Sequence, residues 1–89
     1  MLEMIIVYAH WCPICNMMRP IAEEIEQDYA DKIHVEWIDI EKHPDVIEKY
    51  GIQIVPTFIL MKEKKEMGRM AGMIGEDVLR ERIETLDEN

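Results

Sequence analysis

The sequence predicts an α/β domain with the element order β-α-β-α-β-β-α, in which the second helix is short. Three observations support this order. A continuous run of apolar and β-branched residues at positions 4–9 is typical of a strand that is buried on both faces. Apolar residues recur at three- and four-residue steps within residues 12–29 and 76–86, which predicts two amphipathic helices. A charged stretch at residues 62–66 separates two segments with strand character, so we expect the chain to reverse there.

The first helix is predicted to begin at or near Cys12, because Pro13 suits a first helical turn, where a missing N–H costs nothing. Pro20 falls inside this helix and is expected to kink it. One face of the helix carries an apolar stripe, which consists of Ile14, Met17, Met18, Ile21, Ile25 and Tyr29.

The remaining elements follow from shorter signals. Residues 33–40 partly alternate between apolar and polar side chains, which predicts a second strand. A short helix is expected to start at residues 43–45 and to end at Gly51, a candidate left-handed cap. Residues 57–61 form the third predicted strand and residues 67–73 an antiparallel edge strand. The closing helix over residues 76–86 has acidic residues in its first turn.

Size, composition and charge limit the possible roles. The 89 residues, of which 48% are hydrophobic, predict a single domain over residues 1–89. A formal net charge of −9 argues against nucleic-acid or anionic-membrane partners. Neither a secretory signal nor a run of about 18 apolar residues that could span a membrane is visible. We therefore expect a cytoplasmic protein. We also expect a monomer, because charged residues near the edge strand disfavour pairing through it.

The chain has two cysteines, Cys12 and Cys15, which are separated by Pro13 and Ile14. At the start of a helix this spacing brings both sulfurs to one face, close enough for a disulfide where the backbone geometry permits. Because a reducing cytoplasm disfavours structural disulfides, the pair indicates redox or metal chemistry. Unpaired N–H groups and the helix dipole stabilise a thiolate on Cys12. We therefore expect Cys12 to be the nucleophile and the more shielded Cys15 to be the resolving thiol.

Several further segments accompany this pair. They are Trp11 before Cys12, Pro20, Asp39, Lys49-Tyr50-Gly51-Ile52, Val55-Pro56-Thr57 and Gly72. Taken with the element order, these segments resemble the thioredoxin superfamily. The resemblance implies a minimal thioredoxin fold, with a central mixed four-stranded sheet flanked by helices. It also implies a thiol–disulfide oxidoreductase that reduces protein disulfides, with no cofactor or metal beyond the redox-active Cys12–Cys15 disulfide.

The resemblance also assigns roles around the cysteines. It implies that Pro56 is cis and faces the redox pair, and that the backbone of Val55 pairs with the substrate peptide. It implies that Trp11 is an exposed aromatic platform beside Cys12. The predicted substrate-binding residues are Trp11, Pro13, Ile14, Val55, Pro56, Gly72 and Met73.

Two features depart from the family pattern. Thioredoxins usually carry a buried aspartate six residues before the first cysteine and a lysine near it, and these positions are Ile6 and Val35 here. Deprotonation of Cys15 must therefore depend on water, a backbone group or another side chain. His10 is a candidate base, although a solvent-facing loop histidine is the simpler interpretation. The dipeptide between the cysteines is Pro-Ile instead of Gly-Pro, which leaves the redox potential open.

The sequence leaves several functional alternatives. The reductant of the protein is expected to be a thioredoxin-reductase-like flavoenzyme. A glutaredoxin-like enzyme that draws electrons from glutathione is the closest rival. A metal- or cluster-binding protein would need more ligands than Cys12, Cys15 and His10, so a closed zinc site would require a second chain. A non-catalytic interaction module would not need the cysteine pair.

Overall fold

The computed structural model describes residues 1–88 and contains the predicted elements in the predicted order. These are β1 (Leu2–Tyr8), α1 (Pro13–Asp28), β2 (Ile33–Asp39), α2 (Asp45–Lys49), β3 (Thr57–Lys62), β4 (Lys65–Ala71) and α3 (Glu76–Asp87). Within residues 1–88, no helix has both the length and the apolar character that crossing a membrane requires.

The four strands form one mixed sheet in the order β2-β1-β3-β4, which confirms the predicted fold class. Strand β1 runs parallel to β2 and antiparallel to β3, and β3 is antiparallel to β4. Tyr8 pairs with Asp39 at the carboxyl ends of the parallel strands. The loops that leave these two strands therefore emerge at the same edge of the sheet, where binding sites of α/β folds are commonly found.

Strand β1 is buried on both faces because successive side chains of a strand point to opposite sides. Leu2, Met4 and Ile6 pack in a cluster with α1 and α3, whereas Ile5 and Val7 pack on the opposite face, which α2 covers. The helices contribute Met18, Ala22, Ile25, Leu79 and Ile83 to the first cluster. The predicted strand in the apolar run at residues 4–9 is thus confirmed, with helices on both sides, although it begins at Leu2 and ends at Tyr8, one residue before Ala9.

Helix α1 has the predicted extent, with Cys12 as its N-cap, Pro13 in its first turn and Pro20 inside it. The predicted apolar stripe of this helix was wrong at one position. Met17 is 59% exposed, whereas Met18 is buried, because the buried face follows residues 18, 22 and 25 and Met17 lies about 100° away from it. Gly51 has a φ of 63°, which confirms the left-handed conformation after α2.

The hairpin between β3 and β4 differs from the prediction. Its turn consists of two residues, Glu63 and Lys64, with φ values of 53° and 67°, and the flanking residues already belong to the strands. Two-residue hairpin loops favour such left-handed turns because their twist matches that of the strands. The edge strand therefore begins two residues earlier than predicted and ends at Ala71, which places Gly72 beyond the strand.

Candidate active site

The two cysteines lie where β1 ends and α1 begins. Cys12 has an extended backbone, with φ −92° and ψ 113°, and its sulfur accepts a hydrogen bond of 3.2 Å from the backbone N–H of Cys15. Both cysteines are free thiols and are only 5% and 6% exposed. The side chain that caps the helix is therefore itself a thiol. The N–H of Cys15 and the positive end of α1 both favour negative charge on that sulfur.

A second loop brings Val55 and Pro56 to the same sulfur. The Cys12 thiol donates to the carbonyl oxygen of Val55 at 3.6 Å, and the Val55–Pro56 peptide bond is cis, as the sequence resemblance implied. The carbonyl of Pro56 accepts a hydrogen bond of 2.9 Å from the N–H of Gly72. Met73 follows and is 56% exposed. The residues that were predicted around the site thus converge from three separate loops.

Cys15 lies one turn inside the helix and behind Cys12. The pKa of the Cys15 thiol is raised to about 11, mainly by burial and in second place by the hydrogen bond with Cys12. Ile6 and Val35, where the resemblance implied an acid and a neighbouring lysine, are both buried in the apolar core, but they are not neighbours in register, because Ile6 pairs with Trp37 and Val35 pairs with Met4. The two thiols are therefore inequivalent. A hydrogen bond and the helix dipole stabilise negative charge on the sulfur of Cys12, whereas Cys15 remains protonated at neutral pH.

An open apolar groove of about 630 Å³ extends from Cys12 along the surface. Four of the predicted substrate-binding residues line it, namely Trp11, Pro13, Ile14 and Val55. The other wall consists of Ile40, Ile47, Ile52, Gln53 and Ile54. Trp11 is 65% exposed, which agrees with the expected aromatic platform, and Ile54 is 51% exposed. A groove with so much exposed apolar surface beside a reactive sulfur is suited to bind a peptide chain.

The sequence interpretation did not identify the isoleucine wall. Ile47 is the clearest case, because Val46 and Ile47 are adjacent apolar residues on the five-residue helix α2. Adjacent residues on a helix point about 100° apart, so both cannot face the same core. Val46 is buried and Ile47 is 42% exposed. Two adjacent apolar residues on a short helix were therefore the sequence signal that one of them is exposed.

His10 is exposed in the loop before the cysteines, as the simpler interpretation proposed, yet it has a partner. Its Nε2 lies 2.9 Å from Oδ2 of Asp39, which is 5% exposed. The other carboxylate oxygen of Asp39 accepts a hydrogen bond of 2.8 Å from the N–H of Glu41. His10 is thereby tied to the end of β2, so this contact does not direct its ring at the cysteines.

The metal-binding alternative requires ligands in addition to the two cysteines. Among residues 1–88, no group of three or more histidine, cysteine, aspartate or glutamate side chains is placed to hold a metal ion.

Comparison with known proteins identifies related sequences. The family model described as Thioredoxin matches residues 2–85. Thioredoxin Y1, chloroplastic, of Arabidopsis thaliana is 43% identical over 77 residues, which cover 86% of this chain and 45% of that protein. Thioredoxin 1 of Synechococcus elongatus is 30% identical over 82 residues, which cover 92% of this chain and 74% of that protein. The chain thus spans about half the length of the chloroplast relative and about three quarters of the cyanobacterial one.

A solved structure gives the same result for the fold. The crystal structure of the germline-specific thioredoxin Deadhead from Drosophila melanogaster superimposes with a TM-score of 0.89 at 27% sequence identity. The superposition covers 96% of this chain and 80% of that chain. The agreement includes the sheet and the helices that flank it.

Proposed function

Since the chain belongs to the thioredoxin family, we propose that it is a thiol–disulfide oxidoreductase that reduces protein disulfides with Cys12 and Cys15. One observation carries the proposal. The sulfur of Cys12 caps α1 and accepts the N–H of Cys15 at 3.2 Å, while burial holds the pKa of the Cys15 thiol at about 11. Cys12 is thus stabilised as the nucleophile, and Cys15 stays protonated until the second step.

In the first step, the thiolate of Cys12 attacks one sulfur of the substrate disulfide. A bond forms between Cys12 and that sulfur, the substrate S–S bond breaks, and the second substrate sulfur leaves as a thiolate that takes a proton from water. The product is a mixed disulfide between Cys12 and the substrate. The cap position favours this step because it stabilises the attacking thiolate.

In the second step, Cys15 loses its proton and attacks the sulfur of Cys12. The Cys12–Cys15 disulfide forms, and the remaining substrate sulfur leaves and is protonated. The substrate gains two electrons and two protons in total, and the protein is oxidised to its disulfide form. Return to the dithiol requires an electron donor, and we propose a thioredoxin-reductase-like flavoenzyme, with glutathione as the alternative donor.

The substrate is proposed to bind in the apolar groove. Its backbone would run along the Val55–Pro56 loop, whose carbonyl already contacts Cys12, while its side chains contact Trp11 and the isoleucine wall. The remaining predicted residues, Gly72 and Met73, would border the other side of Pro56. We further propose that the protein acts as a monomer in a reducing compartment such as the cytoplasm, because a dithiol reductant must be kept reduced to function.

The proposal is tested by the reduction of a fluorescently quenched, disulfide-linked peptide with dithiothreitol as the final donor. We expect the wild type to accelerate reduction, and Cys12→Ser to lose this acceleration completely. When dithiothreitol is omitted, Cys15→Ser is expected to stop at a mixed disulfide with the peptide, which intact-mass spectrometry would detect. Unchanged acceleration by Cys12→Ser would overturn the proposal. Replacing dithiothreitol with glutathione then tests the alternative donor.

A further inference from the structure

A small cavity borders Cys15 and shares no lining residue with the groove. Its volume is about 10 Å³, which is close to the minimum that one water molecule needs. The lining includes Cys15, Ile6 and Arg19, together with Tyr8, Met18, Ala22, Trp37, Pro56 and Phe58. Of these side chains, only the guanidinium of Arg19 carries a charge at neutral pH.

Arg19 is held against the sheet by two aromatic rings. Its Cζ atom lies 4.8 Å from the ring centroid of Tyr8 and 5.1 Å from that of Trp37, and the two rings are nearly perpendicular at 80°. Stacking on two rings restricts the guanidinium while leaving its charge in place. Within residues 1–88, no carboxylate lies within 4.0 Å of Arg19, so no ion pair neutralises that charge.

The spacing along α1 places Arg19 one turn after Cys15, and both residues line the same small cavity. Arg19 follows Cys15 by four residues, which puts both on one helix face with a rise of about 6 Å. Trp37, one of the two rings that hold Arg19, donates a 3.1 Å hydrogen bond from its indole to Glu26. Glu26 lies eleven residues beyond Cys15, a rise of about 16 Å, so its charge is the more distant one.

The resolving step creates a need for such a charge. Cys15 attacks as a thiolate, yet it is 6% exposed and its pKa is raised by burial. A cation beside a buried thiol favours the thiolate, because its charge replaces part of the lost hydration. The other titratable side chains around Cys15 are those of Cys12, which carries no charge once it forms the mixed disulfide, and Tyr8, on whose ring Arg19 stacks.

We propose that Arg19 is a positioning residue for the resolving step, whose guanidinium stabilises the Cys15 thiolate while that sulfur attacks Cys12. This inference rests on the proposed function. The proton of Cys15 leaves to water, and the electron pair that it leaves behind forms the new bond to Cys12. Arg19 touches neither substrate nor Cys12, so its effect is confined to the second step.

The test uses 4,4′-dithiodipyridine, an uncharged disulfide that releases an absorbing thiopyridone at each of two steps. With equimolar reagent in a stopped-flow instrument, the first release reports the attack of Cys12 and depends on concentration. The second release reports the attack of Cys15 and is independent of concentration. The pH dependence of the second rate constant then follows the ionisation of Cys15 and is insensitive to reagent binding.

For Arg19→Met we expect the pH midpoint of the second step to rise by about one unit, so that its rate at pH 7 falls about tenfold. The first step should stay within about twofold of the wild type, which also shows that the variant is folded at the site. Arg19→Lys keeps the charge and should keep the wild-type midpoint. Arg82→Met, which removes an exposed arginine on α3, changes the net charge equally and should leave both steps unchanged.

Two results would overturn the inference. An unmoved midpoint with a uniformly slower second step in Arg19→Met would assign Arg19 a purely structural role. A rise of the midpoint in Arg19→Lys equal to that in Arg19→Met would show that charge is not the cause. A wild type with no second release would overturn the proposed function as well, whereas the first two results would leave it intact.

Discussion

Replacing Cys12 with alanine separates the effect of burial on the pKa of Cys15 from the effects of Cys12. Burial, the hydrogen bond with Cys12 and the charge of Cys12 together raise the pKa of Cys15 from 9.0 to about 11, and burial is the largest of these causes. The variant removes the second set of causes and keeps the first, because Cys15 is packed among β1 and α1 side chains. We therefore expect the pKa of Cys15 in Cys12→Ala to lie above 9.0 and below about 11.

The consequence for reactivity is large enough to measure. At pH 8, a thiol with a pKa of about 11 is ionised in about one molecule in a thousand, against about one in ten for a pKa of 9.0. Because only the thiolate reacts, alkylation of Cys15 should be slow at pH 8 and should accelerate as the pH rises towards the folded-state pKa. In the wild type, alkylation at pH 8 should be almost confined to Cys12.

The assay is the rate of iodoacetamide alkylation of Cys12→Ala, followed by intact-mass spectrometry between pH 7 and pH 11.5. Limited access to the buried sulfur lowers the rate equally at every pH, so only the midpoint reports the pKa. The same variant in guanidinium chloride is the control, and its midpoint should return to the value of an exposed cysteine. A folded midpoint at or below 9.0 would refute the reasoning, since burial is the largest cause of the shift and it raises the pKa.

Three substitutions test the groove and the core. Ile47→Ala should raise the KM for a peptide disulfide with apolar flanking residues about fivefold, as expected for the loss of about 1 kcal/mol of apolar contact. Met67→Ala, which removes an exposed side chain on β4, is the control and should leave the KM unchanged. Equal KM values for the two variants would exclude Ile47 from substrate binding. Leu79→Ala truncates a fully buried side chain of the main core and should lower the free energy of unfolding, measured by urea titration, by about 2–5 kcal/mol. A loss below about 1 kcal/mol would contradict the packing of Leu79. Gly51→Ala places a residue with a side chain at a backbone φ of 63° and should lower the free energy of unfolding by about 1–2 kcal/mol. An unchanged free energy of unfolding would show that the backbone at residue 51 adopts another conformation.

The elements that the sequence predicted best are those encoded locally. The start of α1 depends on Cys12 and Pro13, which lie at its N-cap and first helical position, and the buried strand β1 depends on a run of apolar residues. The placement of the cysteine pair follows directly from these two elements. The cis conformation before Pro56 had no local signal and came from family resemblance alone.

The features that the sequence missed are formed by tertiary contacts. Ile40, Ile47 and Ile54 form one wall only after β2, α2 and the following loop come together. The stacking of Arg19 on Tyr8 and Trp37 likewise joins α1 with two strands. The two-residue turn at Glu63 and Lys64 was missed for a different reason, because left-handed turns are usually signalled by glycine or asparagine and this one is not.

The central claim, reversible dithiol–disulfide chemistry at Cys12 and Cys15, is tested most directly by equilibration in a series of glutathione redox buffers. The exposed Trp11 beside Cys12 provides the fluorescence signal, and Cys12→Ser provides the blank. We predict a reversible two-electron transition with a midpoint below the cytosolic glutathione potential, which is roughly −220 to −260 mV by extraction. A midpoint at or above that range would contradict the role as a general reductant and favour a glutathione-coupled or oxidising role. The absence of any reversible transition would contradict the redox function itself.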